Sequence, residues 1–172
     1  MTTRVPAAVR ATARPPRRLA PSWRKLLLTV HVISSVGLLG ADAAVLALGL
    51  AGWYGTDPLT VYPAAQLLGE LLVLPSALLA LASGVALGLL TPWGLVRHWW
   101  VLLKLALTVG GTALAILVLL PTLGSAAAAA LAHQPVTEEF ALVKDAGGAS
   151  GVLVVTVLLS LYKPFGRLRG RR

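Results

Sequence analysis

The stretch LLLTVHVISSVGLLGADAAVLALGLA, residues 26–51, decides the fold of this 172-residue chain. It consists almost entirely of Leu, Val, Ile, Ala and Gly, and a helix needs about 20 such residues to cross roughly 30 Å of hydrocarbon. The stretch therefore predicts a transmembrane helix. Two ionisable residues, His31 and Asp42, interrupt it. Because ionisable groups are costly inside a bilayer, they are candidates for function.

The composition of the whole chain agrees with a membrane protein. It is 57% hydrophobic and 12% charged, whereas soluble domains carry roughly 25% charged residues. The chain has no cysteine, which excludes disulfides, thiolate metal sites and cysteine nucleophiles. It also lacks the P-loop, HExxH and GxSxG motifs, so we predict no catalytic residues and, on balance, no enzyme.

Three further segments are long and apolar enough to span a membrane. The four predicted spans cover about 26–51, 64–90, 99–120 and 146–162. We expect a kink at Pro75 in the second span. The third is expected to end at Pro121, or alternatively to continue outward through the alanines at 126–130. The fourth is short and is expected to begin outside the membrane, with Thr137 as its N-cap.

These spans predict an all-α fold, a bundle of four transmembrane helices within residues 23–166. Small residues recur every four positions, as at Ser76, Ala80, Gly84 and Gly88, a pattern that favours close helix packing in lipid. A basic segment before an apolar run that contains ADA at 41–43 also resembles a cleaved signal peptide. The apolar run continues about nine residues beyond that point, which favours a membrane span instead.

The positive charges predict the orientation of the bundle. With four spans, nearly all of the 15 Lys and Arg residues fall on one side, and only Lys144 clearly falls on the other. The positive-inside rule then places both termini, and the loop that contains Arg97, in the cytoplasm. Tryptophans and tyrosines lie at the predicted span ends, as interfacial residues do. Together with a composition typical of GC-rich bacteria, this predicts a multi-pass protein of the bacterial inner (plasma) membrane.

The termini carry most of the net charge of +9. Residues 1–22 are rich in Arg and Pro and are predicted to form a disordered cytoplasmic arm, and residues 167–172 form a basic tail. We expect both to bind anionic lipid headgroups. Nucleic acid is not predicted as a partner, because the arm has no folded module or interleaved aromatic residues. A homo-oligomer or a membrane partner subunit is the other expected partner.

Helical geometry separates His31 from Asp42. Eleven residues bring them to the same face but about 16 Å apart along the axis. The partners of each must therefore come from other helices. We predict two polar layers: an inner layer of His31, Ser35, Lys104 and Thr108, and an outer layer of Asp42 and Glu70, with Lys144 or Asp145 nearby.

Each of these residues also has a purely structural interpretation. Lys104 is close enough to the interface to extend its ammonium to the headgroups. Asp42 and Glu70 could be protonated or could join helices through hydrogen bonds. His31 could be a core histidine with satisfied hydrogen bonds. No metal site is predicted, because no second histidine lies within the spans.

Several segments resemble a known group of proteins. HVISSVGLLGADAAVLAL, ALASGVALGLL, TPWGLVRHWWVLLKLALT and LYKPFGR, within residues 26–169, resemble an uncharacterised DUF-type family of small bacterial integral membrane proteins. That family is distantly similar to CopD-type copper-resistance domains and HemJ-type protoporphyrinogen oxidases. The resemblance implies the bundle fold. It matches His31 to their first-helix histidine and Lys104 to the lysine four residues after Trp100, positions tied to haem in the HemJ type.

The sequence thus leaves several functions open. The broadest is a multi-pass inner-membrane protein of unknown biochemical role. The resemblance implies a haem-binding or redox protein that uses His31 and Lys104, with haem as the cofactor. The paired carboxyl groups of Asp42 and Glu70 indicate a small proton- or cation-coupled transport component instead. A structural partner subunit is the fourth hypothesis.

Overall fold

The computed structural model describes residues 20–90 and 99–162. Within these ranges the fold is all-helical, with four helices that are long and apolar enough to cross a membrane. We number them α1 (Pro21–Trp53), α2 (Pro58–Leu90), α3 (Trp99–Leu131) and α4 (Glu139–Tyr162). The predicted all-α class and the number of helices are confirmed.

Each helix is longer at one end or both than its predicted span. α1 begins at Pro21, a position where the missing N–H of proline costs no helical hydrogen bond. The turn after α1 contains Gly55, whose φ of +92° favours glycine. Asp57 precedes α2 and accepts a hydrogen bond of 2.8 Å from the Thr60 hydroxyl. This tight connection makes α1 and α2 antiparallel neighbours.

Both α2 and α3 contain a single π-helical turn just before a proline. The π segments are Gly69–Val73 in α2 and Ala115–Leu119 in α3, two residues before Pro75 and Pro121 respectively. In each, a backbone N–H bonds five residues back, from Leu74 to Gly69 and from Leu120 to Ala115. The wider turn gives room to a proline ring that would clash with the carbonyl four residues earlier.

This arrangement corrects the prediction that the third helix ends at Pro121. The helix continues to Leu131 through the alanine run, which is the alternative that the sequence left open. The predicted N-cap of the fourth helix is also corrected. α4 begins at Glu139, and the first helical carbonyl belongs to Glu138, which accepts from Leu142 N–H at 2.9 Å. Glu138 therefore occupies the N-cap position, not Thr137.

The core is built from small residues that let the helices approach closely. α1 packs against the C-terminal half of α2 and against α4, and the N-terminal half of α2 packs against the end of α3. Ala126, Ala127 and Ala130 are buried at that contact. A Cβ atom on Gly69 would lie 2.7 Å from Leu123 Cδ1. Small residues at these points are therefore required by the packing, as expected for helices in lipid.

Several predicted features lie outside the described residues. These are the arm 1–22 apart from its last three residues, the loop with Arg97 and His98, and the basic tail 167–172. Large apolar side chains such as Ile33, Leu71 and Leu117 are exposed on the described helices. An outward-facing apolar surface of this kind is compatible with a lipid environment.

Candidate functional site

Asp42 is the most deeply buried carboxylic acid among the described residues. It lies on α1 with 1% of its surface exposed. Its Oδ2 atom accepts a hydrogen bond of 2.5 Å from the Ser150 hydroxyl on α4. Its Oδ1 atom is also buried but has no hydrogen-bond partner. Half of this carboxyl group is therefore satisfied by the protein and half is not.

The carboxyl group borders a cavity of about 50 Å³ to which all four helices contribute. A site of this size is large enough for one or two water molecules but far below the ~300–1,000 Å³ of small-molecule pockets. Apart from Asp42, the polar side chains in its wall are three threonines: Thr108, Thr112 and Thr156. The cavity can accommodate a proton, a water molecule or a small cation, and nothing the size of a haem.

Two of the three threonines, Thr108 and Thr156, have already donated their hydroxyl protons to the backbone. The Thr108 hydroxyl donates to the Lys104 carbonyl and the Thr156 hydroxyl donates to the Leu153 carbonyl, both at 2.8 Å. A hydroxyl that has given its proton to a carbonyl keeps lone pairs that can accept. These two threonines thus offer acceptor oxygens in an otherwise mostly apolar wall, which suits a species that donates hydrogen bonds or carries positive charge.

Both π-helical turns border this cavity. Val73 comes from the first, and Ala115 and Leu119 come from the second. π turns in helices occur frequently at functional sites. Here the two irregular turns surround the one buried carboxyl group, so the distortion near Pro75 and Pro121 coincides with the site.

No cation neutralises Asp42 within the described part of the chain. The ion pair found there joins Lys144 to Asp145 at 3.5 Å, with the lysine largely exposed. An ionised carboxylate that is buried without a counter-charge is very unfavourable. Asp42 is therefore expected either to hold a proton or to bind a cation.

Glu70 does not face Asp42, in contrast to the sequence interpretation. It is exposed on α2, and its Oε1 atom accepts a hydrogen bond of 2.8 Å from Gln66 Nε2 on the same helix. The sequence interpretation used a constant rotation per residue. Glu70 lies in the π segment, and the wider turn rotates it relative to the regular helix that follows. The outer layer therefore joins Asp42 to Ser150, not to Glu70.

The inner layer is also arranged differently. His31 Nδ1 lies 3.0 Å from the Ala80 carbonyl and 3.0 Å from Ser83 Oγ, both on α2. Because a carbonyl only accepts, Nδ1 carries the proton in this contact. Lys104 instead donates from Nζ to Ser160 Oγ on α4 at 2.6 Å. His31 and Lys104 thus have separate partners and are not hydrogen-bonded to each other.

The remaining predicted residues of this layer have local roles. Thr108 bonds its own helix and reaches the Asp42 cavity, as described above. Ser35 is half-buried, whereas its neighbour Ser34 is buried and donates to the Val30 carbonyl at 2.8 Å. The serine that the structure uses in the core of α1 is therefore the one before the predicted residue.

A haem between His31 and Lys104 gains no support from this geometry. The imidazole packs against Gly84, where an added Cβ would lie 3.0 Å from Cε1. Neither residue lines the Asp42 cavity. Across residues 20–90 and 99–162, no group of three His, Asp or Glu side chains could hold a metal ion. The haem hypothesis rests on the sequence resemblance alone.

The sequence interpretation missed three serines that complete these contacts. Ser83, Ser150 and Ser160 each bind one of the predicted ionisable residues. Depth along the helices could have identified Ser150, since it lies as far from the start of α4 as Asp42 lies from the end of α1. Serine is common at helix interfaces in membranes, which is why no single serine stood out.

Comparison with known proteins adds no identity to this site. No family model, curated protein or solved structure matches the chain significantly. The resemblance to the DUF-type family therefore stays a prediction, and the functional argument depends on the residues themselves.

Proposed function

We propose that this chain is a multi-pass protein of the bacterial inner membrane in which Asp42 binds and releases a proton as part of a proton-coupled transport process. Four helices of sufficient length and apolarity support the membrane location. The observation that carries the functional part is Asp42 Oδ1, a buried carboxyl oxygen without a partner beside a cavity.

The charge distribution supports an orientation with both termini in the cytoplasm. Since the chain has no cysteine, single cysteines can test this cleanly. Thr56→Cys lies in the turn between α1 and α2 and should react with a membrane-impermeant maleimide in intact cells. Thr3→Cys should react only after the cells are opened. The reverse pattern would overturn the orientation.

A proton is favoured over a metal cation by the number of oxygen ligands. The described wall of the cavity offers one carboxyl group and three hydroxyl groups, whereas Ca²⁺ takes 6–8 oxygen ligands and Mg²⁺ demands a near-ideal octahedron. A proton on Oδ1 needs no such shell. It also removes the charge that makes a buried carboxylate unfavourable.

Ser150 gives the site a fixed geometry in either protonation state. Its hydroxyl donates to Oδ2, which leaves Oδ1, the atom without a partner, as the oxygen that would bind the proton. The carboxyl group can therefore hold the proton without moving, and water in the cavity could receive it.

Chemical labelling tests the protonated state directly. Dicyclohexylcarbodiimide reacts with protonated carboxyl groups in apolar surroundings. We expect an adduct on the peptide that contains Asp42 in the purified protein, in a Glu70→Gln background that removes the other intramembrane carboxyl. The adduct should vanish in Asp42→Asn and persist in Asp57→Asn, which alters an exposed aspartate. An unlabelled Asp42 at neutral pH would contradict the proposal.

A further inference from the structure

We infer that the face of α2 which carries Gln66 and Glu70 binds a second copy of this chain, related by a twofold axis along the membrane normal. This inference rests on the proposed membrane insertion but not on the proton-binding role of Asp42. The observation behind it is an exposed carboxyl group at a depth where the surroundings should be hydrocarbon.

The depth of Glu70 follows from the length of α2. The helix has 33 residues, which corresponds to about 50 Å, and the hydrocarbon layer is about 30 Å thick. Glu70 lies only about 6 Å from the helix midpoint at Leu74, at 1.5 Å per residue. With the helix centred in the bilayer, Glu70 is roughly 9 Å below the hydrocarbon edge, and with the predicted span 64–90 centred there instead, it is still roughly 4–5 Å below the edge.

Within one copy of the chain, the hydrogen-bonding capacity of the Glu70 carboxyl group is not satisfied. Its hydrogen bond comes from Gln66, one turn earlier on the same helix, and that pair is itself exposed. Leu67 and Leu71 beside it are 58% and 63% exposed. Lipid tails offer no hydrogen bonds, so polar side chains at this depth generally face other protein segments or a water-filled cavity.

A second copy supplies what Glu70 lacks. A twofold axis along the membrane normal places each residue at the same depth as its counterpart, so polar groups meet polar groups. The Gln66 amide has two N–H donors and one acceptor, of which one N–H is used by Glu70. The second N–H can donate to the carboxyl group of the other copy. The pair is thus self-complementary, as an isologous interface requires.

The shape of the surface also permits close approach. Gly124 on α3 lies next to Gln66, and a Cβ atom there would be 3.9 Å from Gln66 Nε2. A small residue beside a polar pair lets another helix approach closely, as is typical of helix contacts in membranes. The competing occupant would be another subunit with a Lys or Arg at the same depth. Cross-linking between copies of this chain separates the two.

Cysteine cross-linking tests the interface in the full chain. Leu67→Cys and Leu71→Cys lie on the proposed face, and Ile33→Cys on α1, 67% exposed, is a matched control. We expect oxidation of reconstituted protein in lipid vesicles to yield disulfide-linked dimers for at least one α2 variant and not for the control. Dimers at all three positions would show random collision and overturn the inference, as would the absence of dimers at both α2 positions.

Substitution of Glu70 tests whether the polar pair holds the copies together. In a fluorescence energy-transfer dilution series in lipid vesicles, Glu70→Leu should raise the dimer dissociation constant by about tenfold, since two interhelical hydrogen bonds are lost. Glu70→Gln should stay close to wild type because the amide can replace them. An unchanged constant for Glu70→Leu, or a monomeric wild type at every protein-to-lipid ratio, would overturn the inference.

The two proposals fail separately. Asp42→Asn should leave the dimer intact, and Glu70→Leu should leave the carbodiimide adduct on Asp42. Incorrect orientation or insertion would be revealed by Thr56→Cys labelling, whatever the oligomeric state.

Discussion

His31 and Asp42 lie on the same face of α1, yet their surroundings differ in one decisive respect. His31 Nδ1 has two polar neighbours on α2, the Ala80 carbonyl and Ser83 Oγ. In Asp42, the Oδ2 atom accepts a hydrogen bond from Ser150. The Oδ1 atom is buried without a partner. Buried polar groups in stable proteins are generally satisfied, so His31 resembles a structural residue and Asp42 resembles a functional one.

The backbone around the two residues shows the same contrast. α2 is regular where it receives His31, at Ala80 to Gly84. The cavity at Asp42 is bordered by both π turns. Irregular backbone at membrane depth is tolerated when it lines a cavity or is buried in protein. The half of the bundle that contains Asp42 therefore combines the unsatisfied carboxyl group with the least regular helices.

The largest expected effect separates the two residues by activity. In vesicles with a pH gradient, Asp42→Asn should reduce proton uptake to the level of protein-free vesicles, because the amide cannot carry the proton. His31→Gln should retain most of the uptake, since its amide can still donate to the Ala80 carbonyl. Equal loss in both variants, or full activity in Asp42→Asn, would remove the distinction between the two sites.

A second comparison concerns the role of His31, which either packs against α2 or serves as a haem ligand. The DUF-type resemblance implies that His31 binds haem, whereas the structure gives it hydrogen bonds to α2. An absorption spectrum of the purified wild type decides between these interpretations. A Soret band that disappears in His31→Ala would show that His31 is a ligand and that its structural interpretation is wrong. We expect His31→Ala to lower thermal stability without any change in visible absorption.

Gly84→Ala should produce the next largest effect. The new Cβ would lie 3.0 Å from His31 Cε1, and displacement of the imidazole would weaken its contacts with α2. Overpacking of this kind costs about 1–3 kcal/mol. Gly40→Ala is a matched control, because nothing lies within 4 Å of its added Cβ, and it should be neutral or stabilising by up to about 1 kcal/mol. Unfolding in mild detergent measures both. Equal stabilities would show that His31 is not held against Gly84.

Much of the architecture could be predicted from the sequence, because the hydrocarbon thickness determines the length of an apolar helix. The four helices and the separation of His31 from Asp42 follow from length and periodicity alone. The partner of Asp42 could not be predicted in the same way. The prediction that Glu70 shares a layer with Asp42 assumes a uniform helix, and the π turn at Gly69–Val73 breaks that assumption.

The continuation past Pro121 shows the same limit. A proline at the end of an apolar run usually indicates the end of a helix. Here the preceding π turn gives room to the ring, and the buried alanines beyond it provide a packing surface for α2. Tertiary contacts of Ala126, Ala127 and Ala130 thus stabilise a helical segment that local signals leave undecided.

Removal of Ser150 should have a moderate effect. Ser150→Ala deletes the hydrogen bond to Asp42 Oδ2 and leaves both carboxyl oxygens unsatisfied, at a cost of about 1–3 kcal/mol. The neutral form of Asp42 should then be favoured further, because the lost bond stabilised the charged form. We expect faster carbodiimide labelling of Asp42 and slower proton release. Ser150→Thr, which keeps the hydroxyl, should restore labelling to the wild-type rate, and an unchanged rate in Ser150→Ala would contradict this role.

Ser83→Ala should have the smallest effect of the set, although Ser83 contacts His31 across two helices just as Ser150 contacts Asp42. His31 Nδ1 keeps the Ala80 carbonyl at 3.0 Å when the serine is removed, so no buried group becomes unsatisfied. The Ser83 hydroxyl donates to the Leu79 carbonyl of its own helix, so it only accepts from His31. Loss of one such interhelical hydrogen bond in a membrane costs about 0.6 kcal/mol on average. A destabilisation by Ser83→Ala as large as that by Ser150→Ala would mean that His31 depends on the serine and not on the carbonyl. The two serines would then have equivalent roles, and the contrast between a satisfied histidine and a half-satisfied aspartate would not explain the difference in function.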